Sequence, residues 1–120
     1  MSFESPLYEA EFGYPIDLHD GIIKSVDSTE TDLGADMIWA IHIFQESLYS
    51  KGEERDYLYR LQFKGCRGDI PKDLVGKDIY RDWFLPIDKN SYAVVLILLP
   101  CGVLQGFYCN EIAELSLELA

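Results

Sequence analysis

Two histidines, His19 and His42, are the side chains of this chain best suited to proton transfer near neutral pH. His19 stands in Asp17-Leu18-His19-Asp20, a setting for a surface ion pair, with no nucleophile beside it. His42 lies between Ile41 and Ile43 and reads as a hydrogen-bonded sheet residue rather than a base or a ligand. Nucleophilic catalysis by cysteine needs a thiolate held by a nearby base. Cys66, in Lys64-Gly65-Cys66-Arg67-Gly68, has the basic, loop-like setting that lowers a thiol pKa, but no histidine is near it in sequence. Neither a GxSxG elbow nor a GxxxxGK[ST] loop occurs. The chain is therefore expected not to be an enzyme.

The three cysteines, Cys66, Cys101 and Cys109, are odd in number and form no CxxC pair, so neither a disulfide framework nor a zinc site is expected. Buried free thiols are the expectation, because cysteine packs as a small apolar side chain. The acidic run Asp27-Ser28-Thr29-Glu30-Thr31-Asp32-Leu33-Gly34 invites a calcium reading. Counted from Asp27, an EF-hand loop needs glycine where Asp32 stands and glutamate where Ile38 stands, and both fail. No metal and no cofactor are expected.

What remains is charge. The formal net charge is −11, and it is unevenly spread. Residues 1–36 carry nine acids against Lys24 alone, residues 37–89 carry nine acids and nine bases, and residues 90–120 carry Glu111, Glu114 and Glu118 with no base. A surface this acidic repels phosphate backbones and anionic membrane faces, so direct nucleic-acid and membrane binding are not expected and a basic protein is. The candidate contacts are Glu9, Glu11, Asp17, Asp20, Asp27, Glu30, Asp32 and Asp36, with Tyr14 as an aromatic anchor. The competing reading takes Tyr8, Phe12, Tyr14 and Trp39 as core beneath a solvated acidic face.

The elements that position these residues centre on 92–112. Ala93-Val94-Val95-Leu96-Ile97-Leu98-Leu99, broken at Pro100-Cys101-Gly102 and followed by Val103 to Tyr108, predicts two adjacent strands, the first buried on both faces. Leu7 to Phe12 alternates imperfectly and predicts a short edge strand closed by Gly13 and Pro15. Gly21 to Val26 is too short to assign, and Asp27 to Gly34 predicts a polar loop. Met37 to Leu48 is ambiguous: residues 37, 39, 41 and 43 satisfy a strand, whereas 37, 41, 44 and 48 satisfy a helix that Asp36 could cap. Its β-branched and aromatic content favours the strand.

Tyr57, Tyr59, Leu61 and Phe63 lie on one face and Arg60, Gln62 and Lys64 on the other, predicting a strand with one wet face that pairs with the preceding run as a hairpin. Gly65 to Lys77 is a loop in which Pro71 to Val75 could form one helical turn. Ile79 to Pro86 is a strand or bulged segment, and Leu115, Leu117 and Leu119 mark a last strand, with a short helix through Ile112 and Leu115 as the alternative. The expected class is α+β, mostly antiparallel sheet with one or two short helices, as one domain over residues 1–120. At 48% hydrophobic composition such a domain needs no metal or disulfide to fold. Met1 to Pro6 lacks a basic flank and apolar core, so no secretory signal is expected and the chain is read as cytoplasmic.

A small, acidic, single-domain chain without a catalytic motif resembles the immunity proteins of bacterial contact-dependent growth inhibition and polymorphic toxin systems. The resemblance implies a toxin inhibitor acting by direct binding. It is nearest to partners of nuclease toxins, whose active sites are basic because they hold phosphates. The class spans many unrelated folds, so it supplies neither a fold nor site residues. The alternatives are an adaptor binding a basic host protein, and a small enzyme using Cys66.

Overall fold

The computed structural model describes residues 3–32, 34–70, 72–100 and 102–120, with backbone alone at 103–105. A helix, α1 (Pro6–Phe12), precedes seven strands: β1 (Ile22–Thr31), β2 (Gly34–Glu46), β3 (Glu54–Cys66), β4 (Asp78–Asp88), β5 (Ser91–Leu99), β6 (Val103–Cys109) and β7 (Glu111–Leu119). They form one antiparallel sheet in the order β6-β5-β4-β1-β2-β3-β7. No helix among the described residues is long and apolar enough to cross a membrane.

The two edge strands of this sheet, β6 and β7, are separated in the chain by Asn110 alone. One bent strand thus serves both edges, which requires the sheet to curl back on itself. Arg67, just beyond β3, bridges Tyr108 on β6. The curl brings Phe107 against Trp39 and Phe63, with ring centroids 5.8 and 5.5 Å apart. The weakest seam lies between β1 and β4, which share the single register pair Ile22 and Asp78. That pair is made by backbone bonds from Ile23 N–H to the Lys77 carbonyl (3.1 Å) and from Ile79 N–H to the Gly21 carbonyl (2.7 Å), and bonds from Gly76 N–H to the Ile23 carbonyl (2.7 Å) and Asp20 N–H to the Ile79 carbonyl (2.8 Å) continue it on either side.

Period-2 alternation decides what fills the interior. Met37, Trp39, Ile41 and Ile43 on β2, and Tyr57, Tyr59, Leu61 and Phe63 on β3, are all buried on one face. Tyr8 of α1 packs on Tyr59 (5.6 Å) and Phe12 on Tyr57 (5.0 Å), closing one end of that face, while Phe107 closes the other. Each such side chain removed from water contributes about 1.5–3 kcal/mol before entropy is charged against it. The expected centre at 92–112 supplies Val94, Leu96 and Phe107, but the bulkiest buried side chains, Trp39, Tyr8, Tyr59 and Phe63, come from α1, β2 and β3.

The ambiguous Met37–Leu48 stretch is strand as far as Glu46, and β2 and β3 make the expected hairpin. Several expectations are corrected. Leu7 to Phe12 is helical, not an edge strand. Pro6 starts the helix at a position where its missing N–H is no loss, and Gly13 ends it with φ 83° and an N–H to the Glu9 carbonyl. Asp27 to Thr31 is strand, not loop, because its backbone groups pair along β2 from Ile38 to Gly34. Gly34 opens β2 with φ 138°, and an added Cβ would lie 1.9 Å from the Cys66 carbonyl oxygen, so only glycine fits.

The two-faced burial expected of β5 also fails. Val94, Leu96 and Leu98 are buried, whereas Ala93, Val95 and Ile97 are half-buried. Residues 72–75 contain no helical turn, and the Pro71 proposed to start one lies outside the described residues, as does Cys101. β4 covers Ile79 to Pro86 with register shifts near both ends. β7 is the expected last strand, but a bulge between Glu114 and Ser116 breaks the Leu115/Leu117/Leu119 alternation. Leu115 is left exposed, and Glu114 is placed opposite Leu61, toward the interior.

Candidate partner-binding surface

The re-aimed Glu114 explains how α1 is held. Its carboxylate accepts the N–H of Leu7 (2.8 Å) and of Tyr8 (3.0 Å), two donors that a helix leaves free in its first turn, together with the hydroxyl of Tyr59. Burial first, and the adjacent Glu114 second, hold the Tyr59 hydroxyl protonated well above the ordinary tyrosine range. Tyr8 donates to the Asp17 carbonyl (2.7 Å) and receives the Gln45 amide (2.9 Å), and burial raises its pKa as well.

This anchoring fixes where the acidic residues stand. Glu9 is exposed on α1 and Glu11 is half-buried, accepting the Tyr57 hydroxyl at 3.2 Å. Tyr14, 43% exposed, lies edge-on to Tyr8 at 5.8 Å. Asp17 accepts the His19 N–H (3.0 Å), and Asp20, with φ 66°, lies 3.5 Å from the His19 ring nitrogen. Asp27 and Glu30 project from β1 toward opposite faces, since their separation is odd in a period-2 strand, and Asp32 sits in the turn that follows. Asp36 on β2 is half-buried and accepts the Gly65 N–H (2.9 Å).

The nine candidate residues therefore fall into two groups. Glu9, Glu11, Tyr14, Asp17 and Asp20 line α1 and the segment after it, and Asp27, Glu30, Asp32 and Asp36 line the β1–β2 arm. Glu11, Asp17 and Asp36 spend a carboxylate oxygen on internal hydrogen bonds. Among the described residues, the side chains of Glu9, Asp27, Glu30 and Asp32 accept no hydrogen bond and meet no lysine or arginine. At about 3.3 Å per residue the arm carries its three free carboxylates over roughly 16 Å. An open hollow of 420 Å³ lies at its end, lined by Asp32, Asp36, Lys64, Asn110 and Glu111 among others.

Of the aromatics interleaved with these acids, Tyr8, Phe12 and Trp39 are core, and Tyr14 alone is exposed. Other exposed apolar groups include Leu7 on α1, Leu48 against Gly13 and Phe44 on β2, and a row of them lies on β4–β6. Trp83 and Leu85 on β4 pair with Val95 and Ala93 on β5, which pair in turn with Gly106 and Tyr108 on β6. Trp83 is 39%, Leu85 45% and Tyr108 47% exposed. Sequence reasoning missed this surface because an unbroken apolar run looks the same whether its second face is covered or open. The one signal was Trp83 and Leu85 flanking Phe84 on a strand that could bury only one side.

The groups considered for chemistry take structural places. His42 is hydrogen-bonded to Asp56 across the β2–β3 ladder (2.6 Å), and the His19 ring reaches the Tyr80 carbonyl. Cys66 is not in an exposed basic loop: it is fully buried, and burial pushes its thiol up to about 11, opposite to what a nucleophile needs. Asp82 faces inward on β4 and accepts the Leu18 N–H (3.0 Å). Burial, reinforced by Asp17, outweighs that bond and the nearby His19 to raise its pKa to about 6. No cluster of three metal-ligating side chains occurs among the described residues. Comparison with protein-family models, with curated proteins and with solved structures gives no match to this chain, so its functional reading rests on its own residues.

Proposed function

We propose that this protein is a non-catalytic acidic binding protein that neutralises a basic, nuclease-type bacterial toxin by direct association, as an immunity protein does. The observation that carries the reading is the set of exposed carboxylates at Glu9, Asp27, Glu30 and Asp32 that no cation or donor among the described residues uses, in a chain of net charge −11. Carboxylates held on a folded scaffold steer a basic partner from a distance and satisfy its lysines and arginines on contact. Glu11, Tyr14, Asp17 and Asp20 stand with Glu9 on α1 and the segment after it, and Asp36 stands on the β1–β2 arm. A basic site built to hold phosphates accepts such an array because carboxylates present the same charge.

Affinity capture from the native cell at low salt, with elution by rising salt, tests the proposal. The expected result is one basic protein in stoichiometric amount that is lethal when expressed without this chain and harmless with it. A stoichiometric basic partner that is harmless alone would instead support an adaptor. Release of only abundant basic proteins by modest salt would overturn both.

A further inference from the structure

The two described cysteines meet at the junction that lets one bent strand serve both sheet edges. Arg67 and Tyr108 exchange both backbone hydrogen bonds, at 2.9 and 3.0 Å, and Lys64 and Phe63 pair with Glu111 and Ile112 in the same register. Between them the ladder is bulged, since Gly65 has φ 66° and the Asn110 N–H bonds the Lys64 carbonyl at 2.8 Å, and Cys66 and Cys109 are each one residue from the hydrogen-bonded Arg67–Tyr108 pair, on the side of that bulge. In a regular ladder a pair in that position has Cα atoms about 4.5 Å apart, within the range of roughly 4.4–6.8 Å that a disulfide spans. Both side chains are fully buried and therefore turn to the same interior. Burial raises both thiols, Cys109 to about 12, and Cys66 is itself among the neighbours that raise Cys109.

We propose that Cys66 and Cys109 are a redox modification site, forming a cross-strand disulfide that fastens the end of β3 to the bent strand when the chain folds or opens locally in the presence of a low-molecular-weight disulfide such as oxidised glutathione. One cysteine thiolate attacks the small disulfide and expels one small thiolate. The second cysteine thiolate then attacks the protein sulfur of the mixed disulfide and expels the other. Two cysteine thiols are oxidised, one small disulfide is reduced to two thiols, and the two cysteine protons pass to the departing thiolates. The bond closes a loop over residues 66–109 that contains β4, β5 and β6. Once the strand closes over it, the bond is sheltered from reductants.

The test refolds the full chain carrying Cys101→Ser in glutathione buffers of graded ratio, traps with acid, and maps peptides by mass. The expected result is a Cys66–Cys109 linkage, half-formed at a glutathione ratio at least about tenfold more reducing than in the denatured chain. The oxidised protein should melt roughly 10 °C higher than the reduced one, and Cys109→Ala should abolish the shift. Folded protein that keeps both thiols free, carries separate glutathione adducts, or links no more readily than denatured chain would overturn the proposal.

Discussion

The two wings of the sheet bury the same kinds of residue and differ in what covers their other faces. The wing of β1, β2, β3 and β7 holds Trp39 fully buried between Phe63 and Phe107, and its free groups are the carboxylates of Asp27, Glu30 and Asp32. The wing of β4, β5 and β6 buries Phe84, Val94 and Leu96 on one face but leaves Trp83, Leu85 and Tyr108 open on the other. α1 and the second wing together cover the inner face of the first, and no described element covers the outer face of the second. Exposed apolar groups also occur on the first wing, at Phe44, Leu115 and Leu119, but the row of Trp83, Leu85 and Tyr108 lies on strands separate from the free carboxylates of the β1–β2 arm, so steering by those carboxylates and desolvation of that row draw on different strands.

Single substitutions in each wing and at their junctions sharpen that contrast. Trp39→Ala removes a fully buried indole and is expected to cost about 3–5 kcal/mol in chemical denaturation, whereas Trp83→Ala is expected to cost no more than about 1 kcal/mol. Equal losses would mean that the second wing's outer face is covered. Glu114→Ala leaves the Leu7 and Tyr8 N–H groups and the Tyr59 hydroxyl without their acceptor. It should cost about 2 kcal/mol and speed amide exchange in α1 before it does so in β2.

Asp82 tests the seam between the wings. Its folded pKa of about 6 lies above the unfolded value of about 3.9, so the fold favours the protonated acid. Between those pH values the folded chain binds more protons than the unfolded one, and this residue's contribution to stability falls as pH rises from about 4 to 6 and then levels off. Asp82→Asn keeps an acceptor for Leu18 and should stabilise the protein by about 1–2 kcal/mol at pH 7, with the gain vanishing near pH 4. A gain that is the same at both pH values would contradict the burial of this carboxylate. The smallest effect is expected for Glu9→Gln, Asp27→Asn, Glu30→Gln and Asp32→Asn, each within about 0.5 kcal/mol in stability because none has a side-chain hydrogen bond or ion pair among the described residues.

Sequence patterning made the β2–β3 hairpin and the buried row from Tyr57 to Phe63 legible, because period-2 alternation under a covered face leaves a direct imprint. It failed at α1, where seven residues carry too little periodicity and the deciding contact, Glu114, lies more than a hundred positions away. It failed again at Asp27 to Thr31, since pairing with β2 overrides the turn preference of Asp, Ser and Thr. The acidic character of the candidate site was visible in the composition. Which carboxylates are committed internally was not, because Glu11, Asp17 and Asp36 differ from Glu9, Asp27, Glu30 and Asp32 only in what the fold places beside them.

The most direct test of the proposed function is the association rate with the captured toxic partner, measured by stopped flow at increasing ionic strength. The chain with Glu9→Gln, Asp27→Asn, Glu30→Gln and Asp32→Asn combined is compared with the unsubstituted chain and with Trp83→Ala/Leu85→Ala. Association of the fourfold variant should be slower by about tenfold or more at low salt and should lose most of its salt dependence, while the Trp83/Leu85 variant keeps both. An unchanged rate and salt slope in the fourfold variant, with binding lost in the Trp83/Leu85 variant, would contradict the account and move the interface to the apolar wing.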